Sequence, residues 1–92
     1  MSATFSHVLF YTYVPDMLER RAPYRERHLR RIEALRAAGR LIVAGAYGEP
    51  PVGAILGIRG LTREEVEAWA DTDPYVTAGL VTDRRVEPWA LV

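Results

Sequence analysis

The sequence predicts an α+β fold, a β-α-β-β-α-β chain forming an antiparallel sheet with two helices on one face. Three observations predict it. Phe5 to Val14 is a run of aromatic and β-branched residues, apolar on both faces. Residues 24–38 repeat apolar side chains at helical spacing between Pro23 and Gly39. After two further short apolar runs, Thr62-Arg-Glu-Glu65 matches a helix-starting capping box.

Each element follows from its own residues. The first strand, 5–14, places Phe5, Leu9, Tyr11 and Tyr13 on one face and Val8, Phe10 and Val14 on the other. A strand with one solvated face would alternate apolar and polar residues, so this one expects cover on both sides. Pro15-Asp16 ends it, and a turn of helix can follow. Pro23 cannot sit inside a helix without costing ~3 kcal/mol, so it belongs near the first position of the main helix. That helix is expected over about 24–38, ended by Gly39 as a left-handed C-terminal residue.

Residues 40–47 form a second strand, 48–53 are turn chemistry, and 54–59 form a third strand, making a hairpin. Thr62 caps a helix that runs to about Ala70. Asp71-Thr-Asp-Pro74 interrupts it, and Tyr75 to Leu80 is expected as a short helix ending at Gly79. The last strand is expected over about 84–92, with Pro88 marking an edge or a strand end, because it cannot donate to a ladder. This order is the ferredoxin-like split βαβ arrangement. Two helices cover one sheet face. The other apolar face has no cover left in the chain, and the same face of a second copy is the simplest partner.

The chain has 92 residues and 49% hydrophobic content, which allows one core, spanning 1–92. A chain of this size buries only roughly 60–65% of its unfolded surface, so pairing would also add stability. No cysteine is present, which excludes disulfides, thiolate catalysis and thiolate zinc sites. With two histidines, a metal site would have to rely on carboxylates. No apolar run approaches the ~20 residues that span a bilayer. Met1-Ser-Ala-Thr-Phe-Ser-His7 lacks the pattern of a signal peptide, so the cytoplasm is the expected compartment.

The 12 basic residues are all arginine and balance 12 acids. GC-rich codon usage is sufficient to explain the missing lysine. The balance is a cancellation. Eight arginines lie between Arg20 and Arg40 beside four acids (Asp16, Glu19, Glu26, Glu33), giving +4 there and −4 elsewhere. A nucleic-acid face is not expected, because arginines and aromatics are not interleaved on one surface and the acids at 64–73 would repel phosphates.

Candidate chemistry sits on the main helix. With His28 at zero, Ile32 falls at about 40°, Leu35 at about −20°, Tyr24 at about −40° and Arg25 at about 60°. His28 and Arg25 therefore lie inside the apolar stripe, whereas Glu26, Arg27, Arg30 and Glu33 lie opposite. A buried charge without a partner is expensive. One reading is a core histidine bound to a backbone carbonyl, with Arg25 extending its head to water. The other is that Asp73 pairs with His28, fixes its tautomer and strengthens it for proton transfer. Asp73 before Pro74 also suits a plain helix cap. Ser2 and Ser6 lack a nucleophile context. His7 reads as structural or an edge residue. Tyr11, Tyr13, Tyr47, Tyr75 and Trp89 read as core or dimer-interface residues or, alternatively, as walls of a pocket for a small, partly apolar or aromatic ligand, and Arg25 could hold a carboxylate or enolate. The glycine pairs match no phosphate or dinucleotide loop.

Arg25-Glu-Arg-His28-Leu29, Gly39-Arg-Leu-Ile-Val-Ala-Gly45 and Ala68-Trp-Ala-Asp-Thr-Asp-Pro-Tyr-Val-Thr-Ala-Gly79 occur in order. Together they resemble the YCII-related, YciI-like family. The resemblance implies a dimeric α/β barrel with a histidine–aspartate active-site pair, matched here by His28 and Asp73, and an arginine matched by Arg25. One branch of that family resembles a dehydrochlorinase of a chlorinated hydroxyhydroquinone. The loop after Ala46 is shorter than in many members, and Tyr47-Gly48 stands where proline is usual. Substrate therefore does not carry over. Two functions follow as expectations. One is a cofactor-independent lyase or isomerase with His28 as acid or base; the alternative is a non-catalytic small-ligand-binding or accessory protein.

Overall fold

The computed structural model describes residues 5–92; the leader reading of the first residues, and Ser2, fall at least partly outside them. The elements run β1 (Ser6–Tyr13), α1 (Met17–Arg20), α2 (Ala22–Ala37), β2 (Leu41–Tyr47), β3 (Gly53–Arg59), α3 (Arg63–Asp71), α4 (Pro74–Thr77) and β4 (Val81–Pro88). The four strands form one antiparallel sheet in the order β2-β3-β1-β4. This is the expected ferredoxin-like architecture, with β3 and β1 as the two interior strands.

The helix ends follow the local chemistry. Pro23 sits in the first turn of α2, and Gly39 takes φ +73° just beyond its end. At α3, the Thr62 side chain accepts from the Glu65 N–H, and the Glu65 side chain accepts from the Thr62 N–H, so both halves of the capping box form.

The core lies between the sheet and the helices. Leu9 of β1 pairs with Leu56 of β3 on one side and Val86 of β4 on the other. These three, with Ile58, pack against Leu35 of α2, Val66 and Ala70 of α3, and Leu80. Arg31 ties α2 to the end of α3. Its Nη2 donates to the Trp69 carbonyl at 3.0 Å and to Thr72 Oγ1 at 2.7 Å, and its guanidinium lies 4.6 Å from the Trp69 ring centroid.

Four expectations need correction. The last strand spans 81–88, not 84–92. Gly79, at φ +75°, ends α4, and the chain enters the sheet directly, with Val81 opposite Tyr13. Past Pro88 the chain leaves the ladder, and Trp89 N–H donates to the Ser6 carbonyl at 2.9 Å. Val14 belongs to the core rather than to the opposite sheet face, because the strand ends at Tyr13 and alternation lapses there. Phe5 is exposed. His7 lies on an interior strand, near its end.

The face away from the helices is only partly polar. Val8 and Phe10 of β1 share it with Ile55, Val43, Tyr47 and Trp89, which line an apolar trough. Val43 is 51% exposed and Tyr47 44%. Trp89 lies across Gly57, where an added Cβ would clash with the indole, so glycine allows that close approach. On the β4 side the face turns charged. Arg85 pairs with Glu87 at 3.2 Å and lies over the Phe10 ring.

Candidate active site

Asp73 is wholly buried, and three groups donate to its carboxylate. Tyr11 Oη donates to Oδ2 at 2.8 Å. The Tyr75 backbone N–H donates to Oδ1 at 3.0 Å, as expected of a helix cap ahead of Pro74. His28 Nδ1 lies 2.8 Å from Oδ1 and 3.1 Å from Oδ2. The cap and the histidine partner expected of Asp73 are therefore one carboxylate performing both tasks.

The donors come from separate parts of the chain. Tyr11 is on β1, His28 on the stripe of α2, and Tyr75 in the first turn of α4. Because Asp73 acts as acceptor toward Tyr11 and Tyr75, the proton of its contact with His28 belongs on Nδ1. Nε2 is then the nitrogen available to a ligand. The imidazole is fixed in plane as well, since it stacks on the Tyr75 ring at 3.8 Å between centroids and 13° between planes. Tyr13 meets Tyr75 edge-on at 6.1 Å.

His28 is only 5% exposed, yet it lines a cavity of about 470 Å³ between α2 and the sheet. At the His28 end the cavity also meets Tyr13, Tyr75, Arg21 and Arg25; Leu29, Ile32, Ala44, Ala46 and Leu56 supply apolar walls. Glu33 and Arg36, an ion pair, stand at its rim. Among the described residues, no three His, Asp or Glu side chains are grouped to hold a metal ion.

The structure brings together His28, Asp73, Tyr13, Tyr75 and Arg25 from the expected set and separates the others. Arg25 is exposed rather than buried in the stripe; at the edge of the apolar sector its long side chain reaches the cavity mouth. Tyr11 is not a cavity wall, because its ring is buried behind Asp73 and its hydroxyl is committed to the carboxylate. Tyr47 and Trp89 line the trough on the opposite sheet face. Tyr47 alternates with Ala46, which does face the cavity, so the neighbouring residue rather than Tyr47 points inward.

Sequence reasoning missed Arg21, which joins α1 to α2 and reaches the same cavity. No periodicity extends across that break, so nothing in the pattern signals its direction. It also missed the hydroxyl of Tyr11 as a partner of Asp73. The available signal was that Tyr11 shares a strand face with Leu9 and Tyr13, so a buried hydroxyl there needs an acceptor.

Comparison with known proteins follows this geometry. The sequence profile of the YCII-related domain matches residues 5–90. The chain belongs to the YCII-related family. It is 38% identical over 97 residues to an uncharacterised protein of Haemophilus influenzae, covering 94% of this chain and 97% of that one. It is 33% identical over 95 residues to Protein YciI of Escherichia coli, with 94% and 97% covered. Among solved structures, it superposes on 5-chloro-2-hydroxyhydroquinone dehydrochlorinase from Burkholderia phenoliruptrix AC1100, captured with 2,5-dihydroxybenzoquinone. The TM-score there is 0.79 at 24% identity, covering 92% of this chain and 93% of that one. That likeness shows a shared fold.

Burial pushes the phenols of Tyr11 and Tyr13 far above the ordinary value of 10.0, and the Asp73 charge adds to it at both. For such a group the folded state keeps a proton that the unfolded chain gives up. Its contribution to stability is therefore whole below pH 10.0 and lost as pH rises beyond it. Ultraviolet titration should show at least two of the five tyrosines ionising only together with unfolding. Reversible ionisation of all five near the ordinary value, with the fold retained, would contradict this.

Proposed function

We propose that this YCII-related protein is a small-molecule enzyme of lyase or isomerase type that works by proton transfer at His28. One observation carries the reading: a buried imidazole whose Nδ1 is tied to Asp73 and whose other nitrogen is left to a ligand cavity containing arginines. No nucleophile, metal or cofactor is required for that chemistry. In this reading His28 Nε2 removes a proton from a carbon beside a carbonyl, and the electron pair moves onto the carbonyl oxygen. Arg25 neutralises the resulting enolate. Returning the proton to a different carbon isomerises the substrate. Alternatively, the enolate re-forms its carbonyl as a β leaving group departs with its electron pair, and His28 later gives its proton to water. Asp73 keeps the imidazole in the needed tautomer throughout.

The cavity suits a small planar ligand that is aromatic or carries a carboxylate, with one anionic end and apolar flanks. The quinone bound by the Burkholderia dehydrochlorinase belongs to this class and is a sensible first ligand. No nucleic-acid or membrane partner enters this reading. The protein acts as a homodimer packed through the open sheet face, which explains why Val43 and Tyr47 can be apolar and exposed in one copy.

Two outcomes are expected. A thermal-shift screen of catechols, lactones and small acids should yield a stabilising ligand. His28→Gln should then lower turnover of that ligand by ~10²–10⁴-fold with the fold intact; unchanged turnover would refute the role of His28. Sedimentation equilibrium should give twice the 10.4 kDa chain mass, and Val43→Glu should give the monomer. A monomeric wild-type protein would refute the dimer.

A further inference from the structure

Tyr75 carries a polar group that the proposed function does not use. The residue is 2% exposed, yet its hydroxyl has no protein hydrogen-bond partner among the described residues. The same side chain lines the cavity, one layer from the His28 ring. Phenylalanine would stack on His28 and meet Tyr13 equally well, so packing does not account for the hydroxyl. A buried hydroxyl without a partner is costly, and such exceptions in a native fold call for an explanation. Two guanidinium groups face the same space. Burial keeps the Tyr75 phenol raised above its ordinary pKa; Arg25, by its charge and by a side-chain contact with the hydroxyl oxygen, and Arg21, by its charge, pull it down without overcoming burial. The phenol therefore stays protonated at neutral pH, and its proton, which neither guanidinium can accept, needs an acceptor.

We propose that Tyr75 Oη, Arg25 and Arg21 form a cradle for one ionised ring oxygen of the ligand, a phenolate or enolate. The hydroxyl donates one directed hydrogen bond, and the two guanidinium groups supply the charge. Arg25 alone would attract any anion. The neutral donor adds preference for an oxyanion seated deep against the Tyr75–His28 stack, where Nε2 reaches the ring carbon next to it. The inference rests on the ligand class of the proposed function and adds to it the residues that select that ligand.

The test uses 2,5-dihydroxybenzoquinone, which is anionic at neutral pH, and hydroquinone, which is not. Calorimetric titration of the full chain should show Tyr75→Phe weakening the quinone by about tenfold or more, the usual range for a hydrogen bond to a charged group. Hydroquinone binding should be unchanged. The free Tyr75→Phe protein should melt no lower than wild type, because the removed hydroxyl donates to no protein group. Arg21→Gln should also weaken the quinone, most strongly at low salt. Equal quinone affinity in wild type and Tyr75→Phe overturns the cradle, as does a lowered melting temperature that accounts for the loss. A wild-type protein that binds the quinone no better than hydroquinone, or binds neither, overturns it too. In each of these cases the His28→Gln turnover measurement still decides the proposed function separately.

Discussion

The buried hydrogen-bonded cluster at the centre of this protein depends on the Asp73 carboxylate. A charge removed from water is tolerated only when its acceptor sites are filled. Here they are filled by a strand hydroxyl, a helix imidazole and a backbone N–H at a helix start. No two of the three donors are close in sequence, and only Tyr75 lies near the acceptor, two residues from Asp73. The carboxylate therefore does more than cap α4. It fixes where α2 sits over β1, because both elements must present a donor to the same two oxygens.

That constraint also divides the molecule. On the helix side of the sheet, apolar packing by Leu9, Leu56 and Val66 surrounds a single satisfied polar cluster, and the cavity opens beside it. Alternation along the strands sends the next residues, Val8, Ile55, Val43 and Tyr47, to the other face. One face holds the candidate chemistry and the other presents an apolar trough. Arg31 supports this division from outside. By bonding the Trp69 carbonyl and Thr72 hydroxyl it anchors the segment just before Asp73.

Much of this was legible in the residues, for reasons that differ by element. The helix starts and stops were readable because Pro23, Gly39 and Thr62-Glu65 act locally, through backbone geometry and a two-sided hydrogen bond. His28 stood out because a helical stripe fixes direction to within a few tens of degrees. Asp73 could be paired with it because a buried imidazole needs a partner and an acid before Pro74 lay within reach. Family resemblance pointed to the same two residues. The positions of Tyr47 and Trp89 were not legible. Both depend on strand register and on where β4 ends, which long-range pairing decides. The hydroxyl of Tyr11 was hidden for the opposite reason: its ring was rightly read as core, but the acceptor it meets lies 62 residues away. Arg21 escaped because a chain break between two helices has no period to read.

The central claim is that Asp73 holds the His28 proton on Nδ1 and leaves Nε2 free. Nitrogen-15 NMR of the imidazole side chains tests it most directly. The account predicts that neutral His28 is the Nδ1–H tautomer, with a slowly exchanging, strongly downfield Nδ1 proton that disappears in Asp73→Asn. Finding the Nε2–H tautomer in the wild-type protein, or an unchanged spectrum in Asp73→Asn, would contradict it.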